Sequence, residues 1–284
     1  MRGDGSPADV RQLLSQRADA LSMLLDGDRS KNELTEELGV SRSTVDRAVR
    51  ELESNGLVRR EGSTVAATLA GRLAYDSYRR YCEETAHVGE FGDLLAELPP
   101  AATVGHAMLE GATAYRSKPP ATGRPANEIT ALIAEGDRFR ACATAVNDAA
   151  AVGHLHGLVT ERGGSGAVVY TSNLAELIRD EYFRMHHEMV ATGRYRAYET
   201  DGLPYELFIV DTDESTTVAV LIYNESGTIH GSILNDTEAA VEWAEETFES
   251  FVEASTEFTD DFRVGGAGAS RAGEADARDG TNPD

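Results

Sequence analysis

The sequence predicts a winged helix-turn-helix followed by an α/β sandwich with a mixed sheet, an α+β module joined to an α/β one. Three observations predict it. Residues 30–68 read as two short helices, a tight turn and a β-hairpin. From Phe91 onward helix-like and strand-like segments alternate, the pattern of layered α/β folds. Three strand-like runs then follow one another across short polar connections, so that end of the sheet is expected to be antiparallel.

The first module is expected over 8–68. An opening helix at Ala8–Leu25 carries Val10, Leu13, Leu14, Ala18, Leu21, Leu24 and Leu25 on its apolar face. Ser30 and Glu33 have the spacing of a capping box, which starts the next helix by satisfying free N–H groups at its end. Leu34 and Leu38 share that helix's inner face. Gly39 suits the left-handed residue that ends a helix, and Ser41 suits the cap of the following one. Val45, Val49 and Leu52 repeat at helical spacing and are expected inside. Asn55-Gly56 stops the helix, and 57–60 and 63–66 read as a hairpin around Glu61-Gly62.

With that apolar stripe buried, Arg42, Ser43, Thr44, Asp46, Arg47 and Arg50 are left outward. Arg can bond guanine at two points, Ser and Thr can reach bases or phosphates, and Asp can accept from cytosine. Arg59 and Arg60 on the first hairpin strand are placed to reach flanking phosphates. These eight residues are the expected contacts to double-stranded DNA.

A helical stretch at 69–89 follows, with Tyr75, Tyr78 and Tyr81 along it. It reads equally as the last helix of the small domain or as a connector that also dimerises. The second module is expected over 90–257. A helix at Glu90–Leu98 stops at Pro99-Pro100. Strands are expected near 103–108, 138–145, 166–171 and 195–199, and helices near 125–135, 148–162 and 172–192. The antiparallel runs are 205–210, 217–223 and 228–234. A last helix at 237–254 is expected to turn Val241, Trp243, Phe248 and Phe251 mostly inward. A tail at 258–284 is expected to be disordered, since 265–284 contains no apolar residue larger than Ala.

The 284 residues carry 49 Asp+Glu against 26 Lys+Arg, a net charge of −23. The charge is uneven. Residues 1–70 hold ten basic and twelve acidic side chains, residues 71–284 sixteen and thirty-seven, and 41–60 alone five and three. The acid therefore lies mostly outside the expected DNA reader. Lys31 and Lys118 are the only lysines. An acid-rich, lysine-poor chain resembles proteins of salt-in halophiles, where at ~1 M salt the Debye length falls to about 3 Å and distant carboxylates repel DNA little. No apolar run approaches the ~20 residues of a membrane span, and Met1–Val10 has no signal-peptide core. Cys82 and Cys142 lack metal-like spacing and read as reduced thiols. A cytoplasmic protein without membrane partners, cofactor or metal is expected.

The blocks LEGATAYRS, LPYELFIVD, VAVLIYNESGTIHGSIL and EAAVEWAEETFESF follow the winged helix in that order. Their sequence resembles the archaeal regulators that join a winged helix to the effector domain of methanogenesis-type regulators, and the resemblance extends to about Ser255. LPYELFIVD and EWAEETF are its most specific parts. It implies a transcription factor whose second domain senses a small molecule and is similar to the sugar-sensing domain of TrmB-type regulators, itself similar to phospholipase D. It implies no particular ligand residues.

Phospholipase D chemistry needs HxKxxxxD, and neither lysine has a His two residues before it. GxSxG, Walker and HExxH patterns are also missing. The chain is not expected to be an enzyme. His154 with His156, and His186 with His187, are spaced so that they do not share a helix face, and read as exposed polar residues rather than ligands. Small molecules bind outside the carboxyl ends of parallel strands, which singles out Thr171, Ser172 and Asn173 at one strand end, Thr144 and Asn147 at another, and His230 on a late strand. A helix start at 171–173 suits an anionic metabolite. It equally suits a plain cap, with Asn173 and Glu176 as partners. The resulting expectation is a sequence-specific, DNA-binding transcriptional regulator acting as a homodimer. The alternative is an architectural or protein-interaction factor whose second domain only dimerises.

Overall fold

The computed structural model describes residues 7–263 and divides into two units, 1–89 and 90–284. In the first unit, α1 (Pro7–Leu25), a short strand β1 (Arg29–Ser30), α2 (Lys31–Leu38) and α3 (Arg42–Ser54) precede a hairpin of β2 (Val58–Glu61) and β3 (Thr64–Ala67). The β1 strand adds to β3, giving a three-stranded antiparallel sheet in the order β1-β3-β2. The hairpin turns at Gly62-Ser63, one residue later than the alternation suggests, because Glu61 still pairs with Thr64.

Local chemistry explains the helix boundaries. Ser30 and Glu33 form both arms of the capping box, and Ser41 caps α3 by accepting from the Thr44 N–H. Gly39 ends α2 at φ 63°, where a side chain is strained. Leu21, Leu24, Leu34, Val45, Val49 and Leu52 fill the core beneath these helices.

The helix α4 runs unbroken over Leu69–Leu95. The sequence reading placed two helices there, ending at Leu98; Gly89 and Gly92 do not interrupt the backbone ladder, and Pro99-Pro100 acts beyond the end. Gly71 permits a close approach at the start of α4, since a Cβ there would lie 2.1 Å from the Leu57 carbonyl oxygen.

The second unit is built on one eight-stranded sheet. Its strands are β4 (Thr113–Arg116), β5 (Arg138–Ala143), β6 (Ser165–Thr171), β7 (Tyr195–Thr200), β8 (Glu206–Asp211), β9 (Thr216–Tyr223), β10 (Ile229–Asn235) and β11 (Thr256–Glu257), in the spatial order β11-β7-β6-β5-β8-β9-β10-β4. The β5, β6 and β7 strands are parallel, and β8, β9, β10 and β4 continue antiparallel. The sheet is therefore mixed, as the short connections between β8, β9 and β10 require.

Helices cover both faces. On one lie α5 (Arg124–Glu135), α6 (Ala149–Thr160), α7 (Ser172–Glu181) and α8 (Phe183–Ala191); on the other lie the end of α4 and α9 (Glu238–Glu253). Strand alternation sorts the core. Phe139 and Ala141 of β5 face the first layer, while Cys142, the residue after Ala141, packs with Val169, Ile209 and Ala244 in the second. Arg140 also points to that second side, 8% exposed, and is neutralised by Asp211 at 3.1 Å and Glu245 at 2.8 Å.

Several elements differ from expectation. The 103–108 segment is not a strand but contains a single 3-10 turn at His106–Met108; the edge strand is instead β4, paired with β10. The expected helix at 172–192 is two helices that meet at Tyr182. In α9 the buried stripe is Ala240, Ala244 and Phe248, with Trp243 only half-buried. The tail does not begin at 258. Phe258, Thr259 and Phe262 are buried, and β11 pairs with β7 just before them. Two large rings supply enough apolar area to order this segment. The remainder of the expected tail, 264–284, lies outside the described residues.

Candidate DNA-binding surface and effector cavity

The α2–turn–α3 arrangement buries Val45, Ala48, Val49 and Leu52, so the opposite face of α3 is free. Arg42, Ser43, Thr44, Arg47 and Arg50 are all exposed on it. Asp46 is only half-exposed and is held by the Lys31 ammonium of α2, which also lowers its pKa. Its carboxylate thereby joins α2 to α3. The Ser43 and Thr44 hydroxyls lie 2.8 and 2.9 Å from Ser41 Oγ, in the cap itself.

The arginines are not equivalent. Arg47 donates to Glu51 at 2.8 Å, and Glu51 also accepts from Arg17 at 2.9 Å. Arg47 and Arg17 together hold Glu51 below the ordinary carboxylate range. Arg59 pairs with Glu61 at 2.7 Å and Arg60 with Glu53 at 3.0 Å. Arg42 and Arg50 form no ion pair among the described residues. Both are solvent-exposed cations on α3 that act on Asp46 through space without contacting it.

In the second unit, a cavity of about 100 Å³ lies between the sheet and helices α5 to α8. Its walls are apolar, with Ile129, Ile133, Phe139, Leu155, Val168 and Leu174 among them. The carboxyl end of β5 supplies its rim: Ala143, Ala145, Asn147 and Asp148 line it, and Ala145 and Asn147 are exposed. This is the end of the parallel strands where the fold places ligands.

Glu206, the first residue of β8, organises the rim. It is 1% exposed. Its Oε1 accepts from the Thr144 N–H, the Thr144 hydroxyl and the Ala145 N–H, each at 2.9 Å, and its Oε2 accepts from Asn147 Nδ2 at 3.3 Å. Asn147 also donates to the Tyr223 hydroxyl. Burial raises the Glu206 pKa against these donors. Asp148 caps α6 through Oδ1 and accepts from Thr130 through Oδ2 at 3.0 Å.

The structure brings only part of the expected ligand set together. Thr144 and Asn147 meet at this rim, though the Thr144 hydroxyl is spent on Glu206. Thr171, Ser172 and Asn173 do not line the cavity, and Thr171 caps α7 without a side-chain bond. Asn173 is not the cap, as the alternative reading had it. Ser172 makes a 3.4 Å contact with the Thr200 carbonyl. His230 lies on β10, beyond β8 and β9 from β5, and does not line the cavity either. The anionic metabolite expected at 171–173 does not suit this cavity, whose lining holds Glu206 and Asp148 but no lysine or arginine.

Sequence reading missed Glu206, Tyr170 and His186. A lone carboxylate inside the apolar run 205–210 was the available signal for the first. His186 was expected to be exposed but is 1% exposed, because α8 packs onto the sheet there. His154, His156 and His187 are half-buried rather than exposed. His156 reaches Glu188 at 2.8 Å, and His187 the Phe262 carbonyl at 2.7 Å. His186 Nδ1 donates to the Tyr182 carbonyl at 3.0 Å, so its Nε2 accepts from the Tyr170 hydroxyl at 3.1 Å; Tyr195 in turn donates to Tyr170 at 2.6 Å. Burial pushes the His186 pKa down to about 4.

That neutral histidine makes a pH prediction. Between pH 6.5 and about 4 the unfolded chain binds a proton that the folded His186 excludes. Its stability is thus fully present above the unfolded value and is lost as pH falls toward 4, by an amount on the order of 3 kcal/mol. Urea unfolding of wild type and His186→Gln over this range should show the wild-type advantage shrinking as pH falls. A constant gap would show that the imidazole titrates normally.

Residues 122–254 match the family model described as the middle domain of the methanogenesis regulatory protein FilR1, and residues 8–88 match that described as the HVO_A0261 N-terminal domain. The chain is thus similar to these two families over those two segments. No curated protein matches it significantly in sequence. Solved structures similar to the chain include TrmBL2, an archaeal chromatin protein, at 14% identity and TM-score 0.41, over 88% of this chain and 99% of that one. A phospholipase D family member, Nuc from Salmonella typhimurium, is 12% identical with TM-score 0.39, over 52% of this chain and 98% of that one. Phosphatidylserine synthase from Haemophilus influenzae Rd KW20 is 10% identical with TM-score 0.37, over 78% of this chain and 55% of that one. Among the described residues, no helix is long and apolar enough to cross a membrane.

Proposed function

We propose that the protein is a transcriptional regulator that binds double-stranded DNA sequence-specifically through α3, as a winged helix-turn-helix, and that its second domain senses a small molecule. The observation that carries the first part is the division of α3 into a buried apolar stripe and an exposed face bearing Arg42, Arg47 and Arg50. A recognition helix needs that division, because its base-reading side chains must be free while its back is anchored. The β2–β3 hairpin serves as the wing, and Arg59 and Arg60 reach phosphates.

A homodimer supplies two half-sites. The long helix α4 offers a surface for it: Leu69, Leu73, Tyr81 and Val88 are exposed apolar residues on this one helix. The acidic balance, −23 overall, fits work in high salt, where screening leaves short-range contacts to set specificity. A cytoplasmic location fits this reading, since the DNA it would bind lies there.

The test is titration of full-length protein against duplexes selected from a random pool. An enriched motif competed only weakly by unrelated duplex supports the reading; equal affinity for every duplex favours the architectural alternative. The wing gives a separate expectation. Replacing Arg59 and Arg60 by Ala removes two phosphate contacts. Binding should weaken alike for all sequences, and the slope of log affinity against log salt should become shallower by roughly two. A changed motif with an unchanged slope would place these residues on bases instead.

A further inference from the structure

We propose that the cavity beneath α5 and α6 is the effector site of the second domain, and that it takes a small apolar molecule with an uncharged or cationic hydrogen-bond-donating head. This rests on reading that domain as a sensor and names the ligand class. Size sets the first limit. A cavity of 150 Å³ lined by apolar side chains holds benzene, and this one is about 100 Å³. The buried part of the ligand is then no larger than a single small ring or a short branched chain. Its walls are mostly Ile, Leu, Val, Phe and Ala from the sheet and the covering helices; the inner polar groups, Tyr170 and His186, are bonded to each other.

The rim sets the second limit. Glu206 and Asp148 face it, and no lysine or arginine lines it. An anionic head would meet two carboxylates with no compensating cation, an unfavourable desolvation. The donors present are already spent: Thr144 and both N–H groups beside it on Glu206, Thr130 on Asp148. Asn147 gives its Nδ2 to Glu206 and Tyr223, so its Oδ1, which accepts no bond from another described residue, turns an acceptor to the ligand. Acceptors without donors select a hydroxyl or an ammonium. The covering elements join the ligand to the fold: α6 begins at the rim with Asp148 as its cap, so a head bound at Asn147 touches the loop that starts this helix.

The experiment uses full-length protein and three probes that share one ring and differ in head: benzyl alcohol, benzylamine and benzoate. Saturable binding is followed by ligand-observed magnetic resonance and calorimetry. Wild type should bind the alcohol and the amine at least tenfold more tightly than benzoate. Ala143→Leu, which fills the cavity from the end of β5, should reduce that binding at least tenfold, and Ala151→Leu from α6 does the same should the first variant fail to fold. Benzoate binding as tightly as the amine, no saturable binding of any probe, or unchanged affinity in both folded filling variants would each overturn the site or its class. Operator titration with and without the bound probe separates this from the sensor reading. Cavity binding that leaves DNA affinity unchanged keeps the site and defeats the sensor.

Discussion

Arg50→Ala should weaken operator binding by about 1–3 kcal/mol, roughly five- to 150-fold, and leave the fold intact. Arg50 is exposed on the free face of α3 and has no ion pair among the described residues. Its guanidinium can engage a guanine without first breaking an internal contact. Arg47, one turn earlier, starts from a different position. It is held by Glu51, which also anchors Arg17 of α1. Recruiting Arg47 to DNA exchanges one charge-assisted bond for another, so Arg47→Ala should lose less than Arg50→Ala. Far-ultraviolet circular dichroism should be unchanged in both, since neither side chain enters the core. Unchanged operator affinity for Arg50→Ala in a gel-shift titration would remove α3 as the reader.

The second large effect lies at the other end of the chain. Phe262→Ala should destabilise the second unit by about 3–5 kcal/mol, the cost of deleting a buried ring and leaving a cavity. Phe262 is fully buried, with ring centroids 5.1 Å from His186, 5.6 Å from Phe258 and 5.7 Å from Phe183. Its carbonyl also accepts from His187. The measurement is the denaturant midpoint at unchanged slope. Removing 264–284 instead should shift that midpoint little, because 265–284 has no aliphatic or aromatic core-forming side chain larger than Ala. A small change for Phe262→Ala would mean that the segment after β11 is not part of the core.

The first unit was largely legible because its determinants are local. A capping box, a left-handed glycine, a serine cap and an apolar stripe at helical spacing each act within a few residues, and they specify α2, the turn and α3 without reference to the rest of the chain. The same locality made the outward set on α3 readable. What spacing could not show was which of those side chains already had partners. Lys31 comes from α2 and Arg17 from α1, so their ties to Asp46 and Glu51 exist only once the helices pack.

The second unit divides in the same way. Alternating runs and short polar connections gave its mixed sheet, but β4 lies next to β10, more than a hundred residues away, and no local pattern marks an edge strand so distant from its partner. The ligand residues show the limit most clearly. Sequence reasoning found the carboxyl end of β5, where Thr144 and Asn147 sit, from a rule about parallel strands. It could not find Glu206, which reaches that end only because β8 runs antiparallel to β5 and starts where β5 finishes. By itself the sequence determined the boundaries of α2 and α3, their apolar faces and the alternation of the sheet, since backbone propensity and period act over short range. The tertiary structure decided which charges are spent, which histidine is buried and which residues enclose the cavity, since those depend on distant segments meeting in a low-dielectric interior.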